Sequence, residues 1–396
     1  MPLRRLAPHL PSPRRLLRSL NPSPAMSPAA DAAHLATAAD PDEDLCAIAA
    51  ESAAAAAEEV APAPAPPLPP PPVSAEERIE RAWAHWRRLG SPRLMVAPMV
   101  DNSELPFRML CRRYGADAAY TPMLHSRIFS ENEKYRSMEF TTCKEDRPLF
   151  VQFCANDPDI LLQAAKMVEP HCDYVDINFG CPQRIARRGN YGAFLMDNLP
   201  LVKSLVQNLS ANLHVPVSVK IRIFPRLEDT LAYAKMLEEA GASLVAVHGR
   251  TRDEKDGKKF RADWDAIKAV KDALRVPVLA NGNVRIWRMT KEWKEDGDEN
   301  GDSGLDQADL VIEYLKLCEQ YPVPWRMVRS HVHKMLGDWF RVHPEVREEL
   351  NKQNILTFEW LHDMVMRLKE LGGRVPLYRK ESALQTTANG LAASNA

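Results

Sequence analysis

The chain has 396 residues, of which 45% are hydrophobic, and its 52 Lys and Arg nearly balance 53 Asp and Glu. This length can bury a large core, but no apolar run reaches the ~18 residues of a membrane span, so no membrane association is predicted. The seven cysteines form no C-x-x-C pair and no cluster with histidines, which argues against a metal site or a disulfide scaffold, and the net charge of −1 means that RNA binding would need a local basic surface.

The first 72 residues differ in composition from the rest of the chain. Residues 1–30 contain five arginines and no acid, whereas residues 31–72 contain eight acids, no Lys or Arg, and a proline tract. Such a composition cannot bury enough apolar surface to offset the entropy of ordering, so we predict a disordered leader. The Arg-rich start resembles an organellar transit peptide, with a dispensable basic leader ahead of Met26 as an equal alternative. Cytoplasmic, plastid and mitochondrial locations therefore all stay open.

From Ser74 onward the pattern is that of a folded α/β protein. Ser74 and Glu77 form a capping-box pattern, and the helix that they begin is predicted to stop at Gly90. Seven short apolar runs follow, separated by helix-like stretches, which indicates βα units and a parallel sheet. The runs are Leu94–Ala97, Ala118–Tyr120, Leu149–Phe153, Tyr174–Ile177, Val217–Lys220, Leu244–Val247 and Val278–Ala280, and the clearest helical stretches are Ile160–Val168, Leu201–Asn212, Leu227–Ala240 and Trp264–Leu274.

The distribution of polar residues decides between two parallel-sheet folds. No G-x-G-x-x-G motif follows the first strand, and polar residues gather at the C-terminal ends of many strands. This favours a TIM-type (β/α)8 barrel over a doubly wound sheet, because barrel sites are assembled from the ends of several strands. We assign residues 73–285 to this barrel, although no eighth strand is predicted.

A second region follows the barrel. Residues 286–307 are predicted to be an acidic linker, residues 308–375 a small all-α domain of four helices, and residues 376–396 a disordered tail. In the second of these helices Arg326, Arg329 and His333 share one face. A solvated helix face explains them, and a face that contacts RNA phosphates is the functional alternative.

Motifs at the strand ends resemble the tRNA-dihydrouridine synthase family. They are Ala97-Pro98-Met99-Val100, Val151-Gln152-Phe153, Asp176-Ile-Asn178-Phe-Gly180-Cys181-Pro-Gln183, Val219-Lys220-Ile-Arg222, Val247-His248-Gly-Arg250-Thr251 and Asn281-Gly282-Asn283, in the family's order. The stretches Tyr120–His125 and Gly180–Ala186 resemble the eukaryotic branch that acts on uridines 16 and 17 of the tRNA D-loop. The resemblance covers about residues 92–285 and 308–372.

The resemblance implies an activity and its cofactors. Family members use FMN, reduced by NAD(P)H, to reduce the C5=C6 bond of uracil in tRNA, and a cysteine protonates C5. Cys181 matches that proton donor, and a cysteine thiol ordinarily keeps its proton at neutral pH. Without the resemblance, Cys181 would more simply be a small core residue.

The resemblance also assigns ligand contacts. FMN is expected to contact Pro98, Met99, Val100, Gln152, Lys220, His248, Asn281, Gly282 and Asn283. Asn178 is expected to position the target uracil. Independently of the resemblance, tRNA phosphates are expected to contact Arg184, Arg187 and Arg188, which follow Cys181 with no acid before Asp197, and the helix face of Arg326 and Arg329. Three alternatives stay open: a salt bridge from Lys220 to Asp176, a core role for His248, and a solvated mobile loop at Arg184–Arg188.

One part of the family pattern is missing. The Asn281-Gly-Asn283 loop should be followed by a helix and by strand eight, which carries a second phosphate-binding segment, but the sequence runs almost directly into the acidic stretch. We therefore expect this chain to bind FMN poorly. Two other functions remain: a catalytically impaired RNA-binding variant of the family, and an FMN barrel enzyme that reduces a free pyrimidine.

Overall fold

The computed structural model describes residues 74–255, 257, 259–283 and 306–371. The predicted leader, the predicted tail and all of the predicted linker except its last two residues lie outside these ranges. Asp306 and Gln307 belong to the helical region rather than to a linker, because the Asp306 side chain caps the helix that begins at Gln307.

Eight parallel strands form one sheet, and they include all seven predicted strands. Their bounds are β1 Met95–Val96, β2 Ala118–Tyr120, β3 Leu124–His125, β4 Leu149–Cys154, β5 Tyr174–Phe179, β6 Val217–Arg222, β7 Leu244–His248 and β8 Val278–Asn281. The order is β1-β2-β4-β5-β6-β7-β8, and the two-residue β3, which was not predicted, pairs with the end of β4. Each main strand thus lies beside the one before it, as in a TIM-type barrel. Within the described ranges β8 does not pair with β1.

Fourteen α-helices occur in the described ranges. Those up to β8 are α1 Ala75–Arg88, α2 Leu105–Arg113, α3 Ser126–Glu131, α4 Glu133–Glu139, α5 Pro158–Val168, α6 Arg184–Arg188, α7 Leu199–Asn212, α8 Leu227–Glu239 and α9 Trp264–Ala273. The helical region contains α10 Gln307–Gln320, α11 Trp325–Met335, α12 Trp339–Val342, α13 Pro344–Lys352 and α14 Phe358–Leu371. Neither set includes a helix long and apolar enough to cross a bilayer.

The alternation of side chains along the strands separates two cores. Val151, Val175 and Val219 point outward and pack with helix residues such as Leu161 and Leu205. The other set faces the barrel interior. Its lower layer is apolar and contains Phe150, Tyr174 and Leu244, packed with Trp86.

Helix α1 covers the end of the barrel where the strands begin. The Trp83 indole donates to the Arg275 carbonyl oxygen at 2.7 Å, just before β8. The His85 ring contacts the Asp173 carbonyl oxygen at 3.0 Å, just before β5. Ser74 caps the helix by accepting from the Glu77 backbone N–H, as the capping-box pattern predicts. The bottom of the barrel is thereby closed, and its C-terminal end is left for the polar residues.

The helical region packs directly on the barrel through α2. Leu110 of α2 shares a buried core with Val311, Val332 and Trp339. The adjoining polar contact is also buried, since Glu104 accepts a hydrogen bond from the Tyr314 hydroxyl at 2.8 Å and lies 2.8 Å from His331 Nε2. The predicted all-α region is thus present, joined to the barrel by apolar and charged contacts.

Candidate functional site

Four interior side chains form a polar ladder across β4, β5 and β6. Gln152 donates to Asp176 Oδ2 at 2.8 Å, and Ser218 donates to Asp176 Oδ1 at 2.6 Å. Asn178 then donates to Gln152 Oε1 at 2.8 Å. All four residues are buried. Each polar atom of this ladder has a partner, so the ladder fixes Asn178 rigidly at the barrel mouth.

Asn178 holds the loop that carries Cys181. Its Oδ1 accepts from the backbone N–H groups of Gly180 and Cys181, at 3.0 and 2.8 Å. On the other side the Ala193 N–H donates to the Cys181 carbonyl oxygen at 3.0 Å. Gly192 makes this approach possible, because its φ is +66° and a Cβ there would lie 2.9 Å from Cys181 Cβ. The backbone of Cys181 is therefore held from both sides, directly after β5.

Lys220 lies at the same mouth, in register with Asn178. Its side chain keeps some exposed surface, but burial of the ammonium lowers the pKa of Lys220 to about 8, although Asp176 opposes this. Burial likewise raises the pKa of Asp176 to about 6, against its hydrogen bonds from Ser218 and Gln152. In the described part of the chain no carboxylate oxygen lies within 4.0 Å of Lys220 Nζ, so the alternative of a Lys220–Asp176 salt bridge is wrong.

His248, Gly282 and Asn283 meet where β7 and β8 end, together with Arg250. An Arg250 N–H donates to His248 Nε2 at 2.9 Å, and another donates to Asn283 Oδ1 at 2.9 Å. Since arginine can only donate, His248 Nε2 is an acceptor and the ring is neutral. Burial, aided by the charges of Lys220, Arg222 and Arg250, lowers the pKa of His248 to about 3.

Gly282 allows the loops after β7 and β8 to approach each other closely. Its φ is +110°, and a Cβ there would lie 2.7 Å from Ala262 Cβ and 3.0 Å from the His248 ring. Asn283 also adopts a positive φ, and its Oδ1 accepts from the Ala262 N–H at 2.6 Å. Asn281 ends β8, opposite His248 in the register.

The segment after β1 presents apolar groups to solvent at this end of the barrel. Met99 is 55% exposed and Val100 42% exposed, with Pro98 half-buried before them. Ser103 holds the backbone of Met99, accepting from its N–H and donating to its carbonyl oxygen, both at 3.1 Å. Exposed apolar residues on a fixed backbone are suited to cover the face of a planar ligand.

The three arginines after Cys181 lie on a short helix rather than in a mobile loop. Arg184, Arg187 and Arg188 of α6 are all exposed, and within the described ranges none of them has an ion pair or a side-chain hydrogen bond. The alternative of a loop at these residues is therefore wrong, whereas its solvated character is confirmed. Three unpaired positive charges next to the mouth form a local basic surface of the kind that phosphate binding needs.

The structure gives Arg326 and Arg329 internal partners. Arg326 pairs with Asp101 at 3.1 Å and with Glu139 at 2.5 Å. Arg329 donates to the carbonyl oxygens of Leu350 and Gln353, both at 2.5 Å. These contacts orient both guanidinium groups toward the protein, so a role in contacting tRNA stays a prediction and the observed role is structural.

Two residues of the site received no individual role from the sequence. Arg222 donates to the Gly180 carbonyl oxygen at 2.9 Å and to the Thr251 carbonyl oxygen at 2.8 Å, and so ties the Cys181 loop to the loop after β7. Arg250 supplies the charge beside neutral His248. Both stand two residues after a residue that had been assigned a role, on the same face of their strand or its extension, and that spacing was the available signal.

The arrangement has one feature expected of an FMN site. The Lys220 ammonium faces no carboxylate within 4.0 Å in the described residues, which suits an anionic ring edge. At Gly282 the absence of a Cβ serves the packing of the protein itself, because Ala262 and the His248 ring lie against this position. No group of three or more His, Cys, Asp or Glu in the described ranges could hold a metal ion.

Comparison with known proteins identifies a matching family model and several similar proteins. A protein-family model described as Dihydrouridine synthase (Dus) matches residues 95–304. A protein of Rattus norvegicus called tRNA-dihydrouridine(16/17) synthase (NAD(P)+)-like is 43% identical, over 68% of this chain and 66% of the rat protein.

Two fungal relatives extend the comparison. Proteins of Schizosaccharomyces pombe and Saccharomyces cerevisiae, both called tRNA-dihydrouridine(16/17) synthase (NAD(P)+), are each 40% identical to this chain. The alignments cover 67% and 71% of this chain, and 74% of each fungal protein. A Mus musculus relative is matched over 60% of its length, so the chain spans somewhat less than two thirds of both rodent proteins.

Proposed function

This chain belongs to the dihydrouridine synthase family, and on that basis we propose that it is an oxidoreductase that converts uridine to dihydrouridine in tRNA. The substrate sites are uridines 16 and 17 of the D-loop, after the names of the most similar relatives, and the cofactors are FMN and NAD(P)H. The observation that carries the proposal is the pairing, at one barrel mouth, of a rigidly held Cys181 with a desolvated Lys220 that has no carboxylate partner within 4.0 Å in the described residues.

Cys181 is the proposed proton donor. Reduction of the C5=C6 bond adds a hydride to one carbon and a proton to the other, so the site needs an acid at a fixed position. Asn178 and Ala193 fix the Cys181 backbone, which supports delivery of the thiol proton to C5 of a uracil in the mouth. Asn178 uses its amide oxygen for the loop and one amide N–H for Gln152, and its second amide N–H would be the donor that positions that uracil.

The residues around Lys220 would hold FMN, which when bound supplies the hydride for C6. Lys220 would neutralise the anionic ring edge, and Met99 and Val100 would cover the ring. Gln152 uses its amide oxygen and one amide N–H within the polar ladder, and its second amide N–H would donate to the pyrimidine edge of the ring. Arg250, with Asn281, Gly282 and Asn283, would form the phosphate side.

The basic surface of α6 is the proposed contact for the tRNA backbone. Arg184, Arg187 and Arg188 follow Cys181 within seven residues, so phosphates bound there would lie beside the reacting base. Residues 1–30 support two proposals for location: a plastid or mitochondrial protein with these residues as a transit peptide, or a cytoplasmic one. Fluorescent fusions of the full chain and of a chain starting at Met26 would distinguish these locations.

A second candidate function is a catalytically impaired RNA-binding member of the family. It is favoured by the sequence after Asn283, which has no second phosphate-binding segment of the family type. In a TIM-type barrel the cofactor phosphate is bound by the loops after the seventh and eighth strands of the barrel. Because β3 lies outside the main strand order, β8 is the seventh of these strands, and half of the phosphate site would be absent. A purified chain that binds tRNA but no flavin would support this alternative.

The test of the proposed function is a flavin absorbance spectrum followed by one substitution. After equilibrium dialysis of the purified protein against FMN, the protein side should show stronger flavin bands than the buffer side, with a weak affinity that reflects the incomplete phosphate site. Cys181→Ala should then lower dihydrouridine formation by at least 100-fold, because the proton donor is lost. Its flavin spectrum and tRNA affinity should remain as in the unmodified chain.

Each outcome separates the candidates. Flavin bands no stronger on the protein side of the dialysis membrane than on the buffer side would contradict the enzyme and leave the RNA-binding variant. Tightly retained, stoichiometric FMN would contradict the expectation of poor binding. Faster reduction of free uracil or orotate than of tRNA would favour an enzyme for free pyrimidines.

A further inference from the structure

The loop at residues 98–104, between β1 and α2, is held by one face of helix α11. Arg326 pairs with Asp101 at 3.1 Å, and the Ser330 hydroxyl donates to Asn102 Oδ1 at 3.2 Å. His331 Nε2 lies 2.8 Å from a carboxylate oxygen of Glu104. The Lys334 ammonium also donates to Asn102 Oδ1. Residues 326, 330 and 334 are four apart and so lie on one side of the helix, where they contact Asp101 and Asn102. His331, next to Ser330, adds the contact to Glu104.

Asn102 connects helix α11 to the exposed apolar residues of the loop. Asn102 is held by α11 through its Oδ1, while its Nδ2 donates to the Val100 carbonyl oxygen at 2.9 Å. The Asn102 backbone N–H donates to the Met99 carbonyl oxygen at 3.0 Å. A displacement of α11 would therefore act on Met99 and Val100 through one intervening residue.

The backbone of the loop is strained at Asp101, so the loop conformation needs stabilising contacts from outside the loop. Its φ is +55°, a left-handed conformation that costs free energy in any residue other than glycine. The Arg326 guanidinium meets the Asp101 carboxylate and, at 2.5 Å, that of Glu139 on α4. Arg326 thus joins three elements: α11, the 98–104 loop and α4. A phosphate would have to compete with two carboxylates for this guanidinium.

We propose that Arg326 is a positioning residue for the flavin site. It holds the 98–104 loop in the conformation that presents Met99 and Val100 to the ring, and it thereby couples the helical region to the cofactor. The inference rests on the proposed function for the identity of the ring, but the support of the loop by Arg326 can be tested without any ligand. Because coupling is reciprocal, tRNA bound to the helical region and FMN bound in the barrel should affect each other's affinity.

The experiment compares Arg326→Gln with the unmodified chain in three measurements. Hydrogen exchange of the ligand-free protein should be at least tenfold faster at the Met99 and Asn102 amides, which the loop bonds protect. The Kd for FMN, from quenching of flavin fluorescence, should rise about tenfold. The Kd for an unmodified tRNA transcript, measured without FMN, should stay within twofold. Arg326→Lys, which keeps the charge, should recover part of the loop protection.

Two further variants keep the result interpretable. Arg367→Gln removes a matched arginine from the same helical region, where it pairs with Glu349 at 2.7 Å on the surface, and should change none of the three measurements. Asp101→Asn removes the loop side of the pair while keeping a residue that tolerates a left-handed backbone, and should reproduce the faster exchange.

One pattern of results would overturn the proposed positioning role of Arg326. A tenfold weaker tRNA affinity in Arg326→Gln, with unchanged loop exchange and unchanged FMN affinity, would make Arg326 a tRNA contact and overturn the proposal. If the unmodified chain binds no FMN, the proposed function fails, and the exchange at Met99 and Asn102 still decides whether Arg326 supports the loop.

Discussion

Asp176 and Lys220 are buried groups of opposite charge that share the barrel mouth without forming an ion pair. Asp176 is satisfied by Gln152 and Ser218, which leaves the Lys220 ammonium with only a longer-range attraction to it. Burial shifts both pKa values toward neutrality, to about 6 and about 8. Between these pH values both groups are charged, and the folded state carries the free-energy cost of their desolvation. An anion bound at Lys220 would reduce this cost.

Asp176→Asn should change the pH dependence of stability. The folded state holds the Asp176 proton up to about pH 6, while the unfolded state releases it near 3.8. The stabilising contribution is therefore complete below the unfolded pKa and is lost as the pH rises through the folded pKa. Relative to the variant, the unmodified chain should lose up to about 3 kcal/mol of unfolding free energy between about pH 4 and 7.

Urea unfolding at several pH values measures this difference. Asp265→Asn, at the exposed start of α9, serves as the control for loss of one carboxylate. A difference between Asp176→Asn and the unmodified chain that stays constant from pH 4 to 7 would show that Asp176 is not desolvated.

At the scale of elements, the loops after the strands hold one another as much as they hold side chains. Arg222 joins the loop after β5 to the loop after β7, and Arg250 joins the loop after β7 to the loop after β8. Their guanidinium groups add side-chain links beside the backbone hydrogen bonds that join these strand ends, from the Ile223 N–H to the Arg250 carbonyl oxygen and from the Gly249 N–H to the Asn281 carbonyl oxygen. The geometry of the phosphate side therefore depends on how closely these loops can approach.

Gly282→Ala should disturb this corner. The added Cβ would lie 2.7 Å from Ala262 Cβ, and alanine disfavours a φ of +110°. We expect a loss of about 1 to 3 kcal/mol in unfolding free energy, together with weaker FMN binding, because Asn283 would move away from Arg250. Thermal and urea unfolding and an FMN titration measure these effects.

Gly337→Ala is the matched control for this substitution. A Cβ at Gly337 would meet its nearest atoms at 3.4 and 3.5 Å, which are ordinary contacts. Equal losses in the two variants would contradict a special role for Gly282.

The elements could be predicted where sequence pattern is local and long enough. The seven strand runs are apolar and bounded by turns, and the longer helices show clear periodicity, so both were found to within a few residues. Helices α3, α4, α6 and α12 contain four to seven residues, fewer than two full turns, and leave too little periodicity to detect. Strand β3 has two residues and exists only through its pairing with β4.

The site residues could likewise be predicted where they stand in local motifs, and not where their role depends on tertiary contacts. Cys181 and Lys220 stand in local motifs, and the structure brings both to the barrel mouth. Arg326 was assigned to tRNA because its helix face is polar, but its partners lie 225 and 187 residues away in the sequence. No local pattern reveals what packs against a helix face, so the internal role of Arg326 required the tertiary structure.

At the scale of the whole molecule, the barrel and the helical region share a buried polar contact beside their apolar core. Glu104 is 3% exposed, and it accepts from Tyr314 while facing His331, which is also 3% exposed. Phe107 stacks on the His331 ring with centroids 4.2 Å apart. Such a cluster ties the two regions into one cooperative unit, because separating them would break these hydrogen bonds and expose the apolar contact between Leu110 and Val311 to water.

Glu104→Ala should therefore be severely destabilising. It leaves the Tyr314 hydroxyl and the His331 ring buried without their acceptor, at a cost of roughly 3 kcal/mol or more. Urea unfolding should show this loss, and a separate early transition of the helical region should appear. Glu348→Ala, at an exposed site paired with Lys352, should change stability by less than about 0.5 kcal/mol. A loss of that small size in Glu104→Ala would contradict the shared contact.

The position of α1 has a practical consequence for handling the protein. This helix lies across the end of the barrel where the strands start, and Glu76 near its beginning pairs with Arg275 at 3.4 Å. Whatever is joined to the chain ahead of Ser74 is therefore attached at the pole opposite the mouth. A biotin tag or a sensor-surface tether placed there should leave the mouth facing solution, which makes N-terminal immobilisation the better choice for measuring ligand binding.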